Sequence, residues 1–170
     1  FAENVLERYK NEGKIGTFQK NYYVIEKLKK YCKKKEITFN DITYNFLLNY
    51  EYYLRTVLKN KTNTVNKDMK FHRKLFNEAI RQDTIPYEVN PFRKYQLKLE
   101  KTHRDYLTEA ELGKFESFLT SPGGILELHK NMFIFASYTG GLRISDILKM
   151  KWNDFDGTHL HVVIKKTGVQ

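Results

Sequence analysis

From Thr62 or Thr64 to about Gln82, the residues Val65, Met69, His72, Phe76 and Ala79 recur at steps of three and four. At about 100° per residue they fall between roughly 120° and 200° from Lys67, while Lys70, Lys74 and Arg81 fall near 300° to 340°. Asn63 and Asn77 lie beside the basic residues. A segment with apolar and basic residues on opposite sides folds as a helix that packs by one face. Its other face is left to water or to something acidic. His72 sits on the apolar side, where a histidine reads as a core residue rather than a ligand.

The stretches around this helix read as its packing partners. Phe1 to Glu12 is expected to be a short helix, with Phe1, Val5, Leu6 and Tyr9 on one side and Gly13 as its stop. Thr17 is expected to cap a longer helix carrying Phe18, Tyr22, Ile25, Leu28 and Cys32, which ends in Lys33-Lys34-Lys35. A third starts at Asp41 or Thr43, with Leu47, Tyr50, Leu54 and Leu58 along one side. Ile85-Pro86 and Asn90-Pro91-Phe92 end the helical region, because proline cannot continue a helix and constrains its predecessor. These stretches predict a helical bundle over residues 1–92. A linker-like basic run follows over 93–105, with Arg93, Lys94, Lys98, Lys101, His103 and Arg104.

Residues 106–170 are expected to form a second, incomplete domain. Thr108 and Glu111 make a capping box for a helix reaching about Leu119, and Pro122-Gly123-Gly124 breaks it. Ile125 to Ala136 is apolar almost all round, which predicts a helix central to a core that also takes in Tyr138. After the Asp156-Gly157 turn, His159 to Ile164 alternates as a strand does, with Leu160, Val162 and Ile164 on one face. Lys165-Lys166-Thr167-Gly168 reads as a hairpin tip whose second strand lies beyond the chain. The expected fold class is therefore mainly α, a bundle followed by a truncated mixed α+β domain with a partial β-hairpin.

Charge separates the two parts. The chain of 170 residues has a net charge of +10, with 21 Lys and Arg against 12 Asp and Glu in residues 1–100, and 9 against 8 thereafter. The asymmetry points to a front half that meets a polyanion, against the plainer reading of a well-solvated lysine surface. The single Cys32 excludes an internal disulfide framework and fits a reducing compartment. No apolar run approaches the roughly 20 residues of a membrane helix, so no membrane partner is expected. Neither a metal cluster nor a cofactor motif is present, and none is expected.

The sharpest local motif is Tyr138-Thr139-Gly140-Gly141-Leu142-Arg143-Ile144-Ser145-Asp146-Ile147-Leu148. An arginine follows a Gly-Gly break, and an acid stands three residues on. At that spacing Asp146 is expected to lie over Arg143 and hold its guanidinium for a phosphate. The plainer alternative is an arginine that pairs with Asp146 and a helix end. Tyr138 precedes this box and reads as a packing residue.

With the arginine box, the Lys-Met-Lys-Trp-Asn-Asp stretch, the strand and the lysine hairpin, the chain resembles the tyrosine recombinases, integrases of phages and other bacterial mobile elements. Asn63-Thr64-Val65-Asn66-Lys67-Asp68-Met69-Lys70 and Asn90-Pro91-Phe92 resemble the family's SAM-like core-binding domain. The resemblance implies a site-specific recombinase that cuts and rejoins double-stranded DNA through a 3′-phosphotyrosine. It implies Arg143 as the first catalytic arginine, oriented by Asp146. Lys166 (or Lys165, one register away) would be the hairpin lysine that protonates the 5′-oxygen leaving group. A His-x-x-Arg box and the nucleophilic tyrosine are expected beyond Gln170, so the chain itself is expected to bind DNA without cleaving it. Asn63, Thr64, Lys67, Lys70, Lys74, Arg81, Arg93, Lys101 and Arg104 are the expected DNA contacts, the two domains closing as a clamp.

A start inside an apparent helix leads us to expect a further segment ahead of Phe1. The resemblance also implies a bacterial, nucleoid-associated cytoplasmic protein whose parent works as a tetramer on paired DNA, the chain alone being a monomer. The rival reading is a non-enzymatic helical DNA-binding regulator or excision accessory factor, for which the arginine box is structural.

Overall fold

All four expected helices of the front half form. The computed structural model describes residues 1–33 and 36–164. Helix α1 (Ala2–Asn11) buries Val5, Leu6 and Tyr9 and is closed by Gly13 at φ 69°, a left-handed conformation that glycine adopts without strain. The Lys14 N–H closes back on Tyr9 O at 2.9 Å, so the turn is finished by residue 14. Helix α2 (Ile15–Cys32) therefore starts at once, and Thr17 lies inside its first turn rather than at its cap. At its far end Lys33 takes φ 52° and donates its N–H to Lys29 O at 3.0 Å.

The two possible starts of the third helix have different jobs. Asp41 closes a 3-10 turn, Phe39–Asp41, by accepting from the Thr38 N–H and hydroxyl at 2.8 Å each. Thr43 caps helix α3 (Tyr44–Thr56) by accepting from the Phe46 N–H at 3.2 Å. Leu47, Tyr50 and Leu54 are buried on its inner side, whereas Leu58 lies past its end and is exposed. Helix α4 (Thr62–Arg81) follows.

Helix α4 is the common wall of two apolar clusters. Leu28 of α2, Leu47, Tyr50 and Leu54 of α3, and Val65, Met69 and Phe76 of α4 make the first, closed by Phe92 and Tyr95. Val5, Leu6 and Tyr9 of α1, Val24 and Ile25 of α2, and Phe71 and Leu75 of α4 make the second. Each fully buried large apolar side chain contributes about 1.5–3 kcal/mol. Phe71 and Leu75 widen the apolar side well past the expected stripe, and His72 is buried between the clusters as expected.

Beyond α4 the chain stays on the bundle for longer than the sequence suggests. Two 3-10 turns, Tyr87–Val89 and Pro91–Arg93, carry the prolines, and Asn90 Oδ1 accepts from the Phe92 N–H at 3.0 Å. Tyr95 is buried, Leu97 packs against the first cluster, and Glu100 is hydrogen-bonded to α4. The stretch expected as a linker from residue 93 is thus fastened to the bundle through Glu100. The first compact unit is Phe1–Thr102, and the second begins at His103.

In the second unit, helix α5 (Glu109–Ser117) carries the expected capping box: Thr108 Oγ1 accepts from the Glu111 N–H at 3.3 Å, and Glu111 accepts from the Thr108 N–H at 2.8 Å. Helix α6 (Ile125–Tyr138) forms, but no residue of it is buried. Ile125 is 75% and Tyr138 68% exposed, contrary to the expected core roles. An all-round apolar sequence asks for cover on every side. The described elements here include α5 and the short helix α7 (Ile144–Ile147), with a Phe115–Phe133 edge contact at 5.3 Å and Lys130 donating to Glu116 O and Phe118 O at 3.0 and 2.8 Å.

The expected strand His159 to Ile164 is also corrected. Among the described residues there is only an isolated antiparallel bridge, Phe155 to Leu160, around the Asp156-Gly157 turn. A lone extended segment has no ladder to join. The hairpin tip and both Lys165 and Lys166 lie outside the described residues.

Candidate nucleic-acid interface

Helix α4 buries 11 of its 20 residues. Val65, Met69, His72, Phe76 and Ala79 face the clusters, Phe71 and Leu75 extend that side, and Asn66, Asp68 and Glu78 are buried polar residues flanking it. What remains at the surface is Thr64, Lys67, Lys70, Arg73, Lys74, Asn77 and Arg81. The exposed row is cationic apart from Thr64 and Asn77, with no acid in it.

The buried polar flank explains how the row is kept clear of acids. Asp68 is paired with Lys27 of α2, and Glu78 accepts from Arg8 of α1 at 2.5 Å. Burial raises the Asp68 carboxyl above its usual value despite the opposing Lys27 charge. Each acid is thus turned to a neighbouring helix and neutralised there.

Individual basic residues play unequal parts. Among the described residues no hydrogen bond or ion pair engages the side chains of Lys67, Lys70 or Arg73. Lys74 is different: its ammonium donates to the Tyr9 hydroxyl and lies 4.9 Å from the Tyr9 ring centroid, which makes it part of the α1–α4 seam. Arg81 Nε donates to Asn77 O at 3.3 Å, and Asn77 Oδ1 accepts from Asn90 at 3.2 Å. Arg93 lies over the Tyr87 ring at 4.6 Å. Lys101 and Arg104 are exposed and fall in different units.

Asn63 does not extend the row as a free contact. Its Nδ2 donates to Glu100 O at 2.9 Å and its Oδ1 accepts from the Glu100 N–H at 3.3 Å. Arg73 is the residue that the helical wheel passed over. At roughly 240° it sits between the apolar side and Lys70, outside the narrow basic stripe, and only the true width of the buried face shows which side it joins.

In the second unit, Gly140 and Gly141 take φ 71° and 82°, and the Gly141 N–H closes on Ala136 O at 2.8 Å, so the break after α6 forms as expected. Arg143 is exposed and caps α7 with an extended ψ of 146°; Asp146 is buried. Among the described residues no ion pair joins them. The one-turn spacing brings side chains together only when both residues are helical, and Arg143 stands half outside the helix. What links them is backbone: the Asp146 N–H donates to Arg143 O at 2.8 Å.

Asp156 accepts from the Thr158 and His159 N–H groups at 2.8 and 2.7 Å and pairs with His161 Nε2 at 3.0 Å. These bonds, the His161 contact foremost, hold it well below the usual carboxylate range. Among the described residues no group of three His, Cys, Asp or Glu could hold a metal ion, and no helix is long and apolar enough to cross a membrane.

Comparison with known proteins adds one match. A family model described as the phage integrase SAM-like domain matches residues 1–99. No curated protein and no solved structure matches the chain.

Proposed function

This chain belongs to the phage integrase SAM-like domain family, the N-terminal core-binding region of phage-type tyrosine recombinases, and on that premise we propose that its bundle grips duplex DNA by the exposed row of α4. The observation that carries the reading is the uniformity of that row. Lys67, Lys70, Arg73 and Arg81 stand clear of every acid while the other sides of the helix are buried. Cations on one rigid ridge match the regular spacing of backbone phosphates and release their counterions on contact.

For the parent enzyme, the reading assigns recombination at a specific site on double-stranded DNA through a 3′-phosphotyrosine. Negative charge builds on the nonbridging oxygens as the tyrosine attacks, and a fixed guanidinium stabilises it without a metal. Arg143, exposed at the start of α7, is the group we assign to that role, with Lys166 as the acid for the 5′-oxygen. Asp146 supports Arg143 through the backbone of α7, which fixes the position of the residue rather than its guanidinium. Thr64, Lys101, Arg93 and Arg104 are assigned as further backbone contacts. The parent works as a tetramer on paired sites in the bacterial cytoplasm, and the 170-residue chain alone is a monomer.

The test is a salt titration of duplex binding by fluorescence anisotropy, with a nicked duplex run in parallel. Lys70→Glu should weaken binding and reduce the slope of log K against log salt by about one unit, the share of a single neutralised phosphate. The nicked duplex should be bound without covalent capture, because residues 1–170 hold no His-x-x-Arg motif. An unchanged slope removes α4 from the interface, and a covalent adduct overturns the division of labour.

A further inference from the structure

The most elaborately built polar feature of the first unit lies where the chain leaves the bundle. Glu51 of α3 is its hub. Tyr95 donates its hydroxyl to Glu51 Oε2 at 2.5 Å, and Arg55 Nε donates to Oε1 at 2.8 Å. Burial alone would raise the Glu51 carboxyl, but the Tyr95 hydroxyl and the Arg55 guanidinium outweigh it and hold it below its usual value. Arg55 Nη1 continues to Thr62 Oγ1 at 2.9 Å, and the Thr62 hydroxyl donates to Glu100 Oε1 at 2.6 Å. Two α4 asparagines complete the fastening. Asn63 engages both backbone groups of Glu100, and Asn66, only 3% exposed, donates to Lys98 O.

What is held is an exposed piece of chain with two lysines, Lys98, whose charge also helps to hold Glu51 down, and Lys101, and one acid, Glu100, engaged by Thr62. Lys98, Leu99, Glu100 and Lys101 are all exposed and in no regular element, and Leu99 is 77% exposed. Packing of these residues therefore does not explain the fastening. The spacing does. Asn66 and Lys70 are one helical turn apart on α4, as are Asn63 and Lys67. The backbone of Lys98 is thus bonded one turn ahead of Lys70, and the backbone of Glu100, next to Lys101, one turn ahead of Lys67.

We propose that Asn63 and Asn66 are positioning residues that strap residues 98–100 along α4, so that Lys98 and Lys101 extend the Lys67 and Lys70 row into one cationic track for a nucleic-acid backbone. The inference rests on the DNA-binding reading above. Four ammonium groups lined up in this way repel one another until a polyanion arrives. The two asparagines are neutral, so they set the alignment without adding or removing charge and keep their hold at any salt concentration.

Three variant pairs of the full chain test this on a random-sequence duplex across a salt series. Lys67→Ala with Lys70→Ala should lower the salt slope by about two. Lys98→Ala with Lys101→Ala, both surface changes, should lower it by a similar amount. Asn63→Ala with Asn66→Ala should weaken binding about tenfold and lower the slope, with far-UV circular dichroism unchanged. In the background lacking Lys98 and Lys101, the asparagine changes should have no further effect, the coupling that a positioning role requires and a merely structural role does not.

Equal losses in both backgrounds, or no loss in either, overturn the strap. If the asparagine variants do not fold, the lysine pair decides: a full slope without Lys98 and Lys101 overturns the inference. When Lys67 and Lys70 lower the slope and Lys98 and Lys101 do not, the strap fails and the DNA reading stands. Absence of salt-dependent binding in the unaltered chain defeats the DNA reading itself.

Discussion

His72 lies 3% exposed between the two clusters, its ring 5.8 Å from that of Tyr50, and burial, reinforced by the Lys27 charge, pushes its pKa down to about 4. In the unfolded chain the imidazole takes a proton near 6.5, so between about 6.5 and 4 the unfolded state binds more protons than the bundle. Stability contributed by the neutral ring is complete above 6.5 and is lost as pH falls toward 4, by up to about 3 kcal/mol. Denaturant unfolding from pH 7.5 to 4 should show this fall in the native chain and not in His72→Leu. Asp68, whose carboxyl burial raises, titrates in both proteins, so the difference between the two curves isolates the histidine. An identical pH dependence would mean that the ring is not buried. His72 was legible from its place on the apolar stripe. The place of Arg143 at the N-cap of α7 was not legible, because residue spacing carries no information about whether the first of the two lies inside the helix.

At the scale of the element, helix α4 divides its own basic residues between two jobs. Lys67, Lys70 and Arg73 are open, while Lys74 is engaged by Tyr9 of α1. Lys74→Met should therefore lower the stability of the bundle by some tenths to about 1 kcal/mol. It should also leave the salt slope of DNA binding nearly unchanged, in contrast to Lys70→Glu. A slope reduced as much as by Lys70→Glu would place Lys74 in the interface after all. Periodicity found α4 and its direction, since apolar residues at three and four apart leave no other fold for the segment. It could not assign Lys74 or Asn63, because those roles depend on α1 and on residues 98–100, which lie far away in sequence. For the same reason the start of α2 was misplaced: the turn at Gly13 is completed by Tyr9, not by the residue that looks most like a cap.

Across the whole molecule the two units are unequal. Phe1–Thr102 holds every residue of both apolar clusters, whereas in the described residues from His103 onward only Asp146 is buried. Lys101 and Arg104 are exposed in a stretch without regular structure. Brief trypsin digestion should accordingly leave a resistant product ending at Lys101 or Arg104, while the remainder is degraded. Survival of an intact 170-residue chain, or a first cut inside α1 to α4, would contradict this. The helical bundle was legible because each helix repeats its own local signal. The C-terminal half was not, because an apolar segment announces its need for cover without naming what supplies it.

Helix α4 is walled in on three sides and open on one. Substitutions among Thr64, Lys67, Lys70 and Arg73 therefore alter what the surface presents while leaving both clusters untouched. On the proposed reading, a lineage of such proteins can retune how tightly it holds a DNA backbone along a single row of side chains, without a compensating change in the interior.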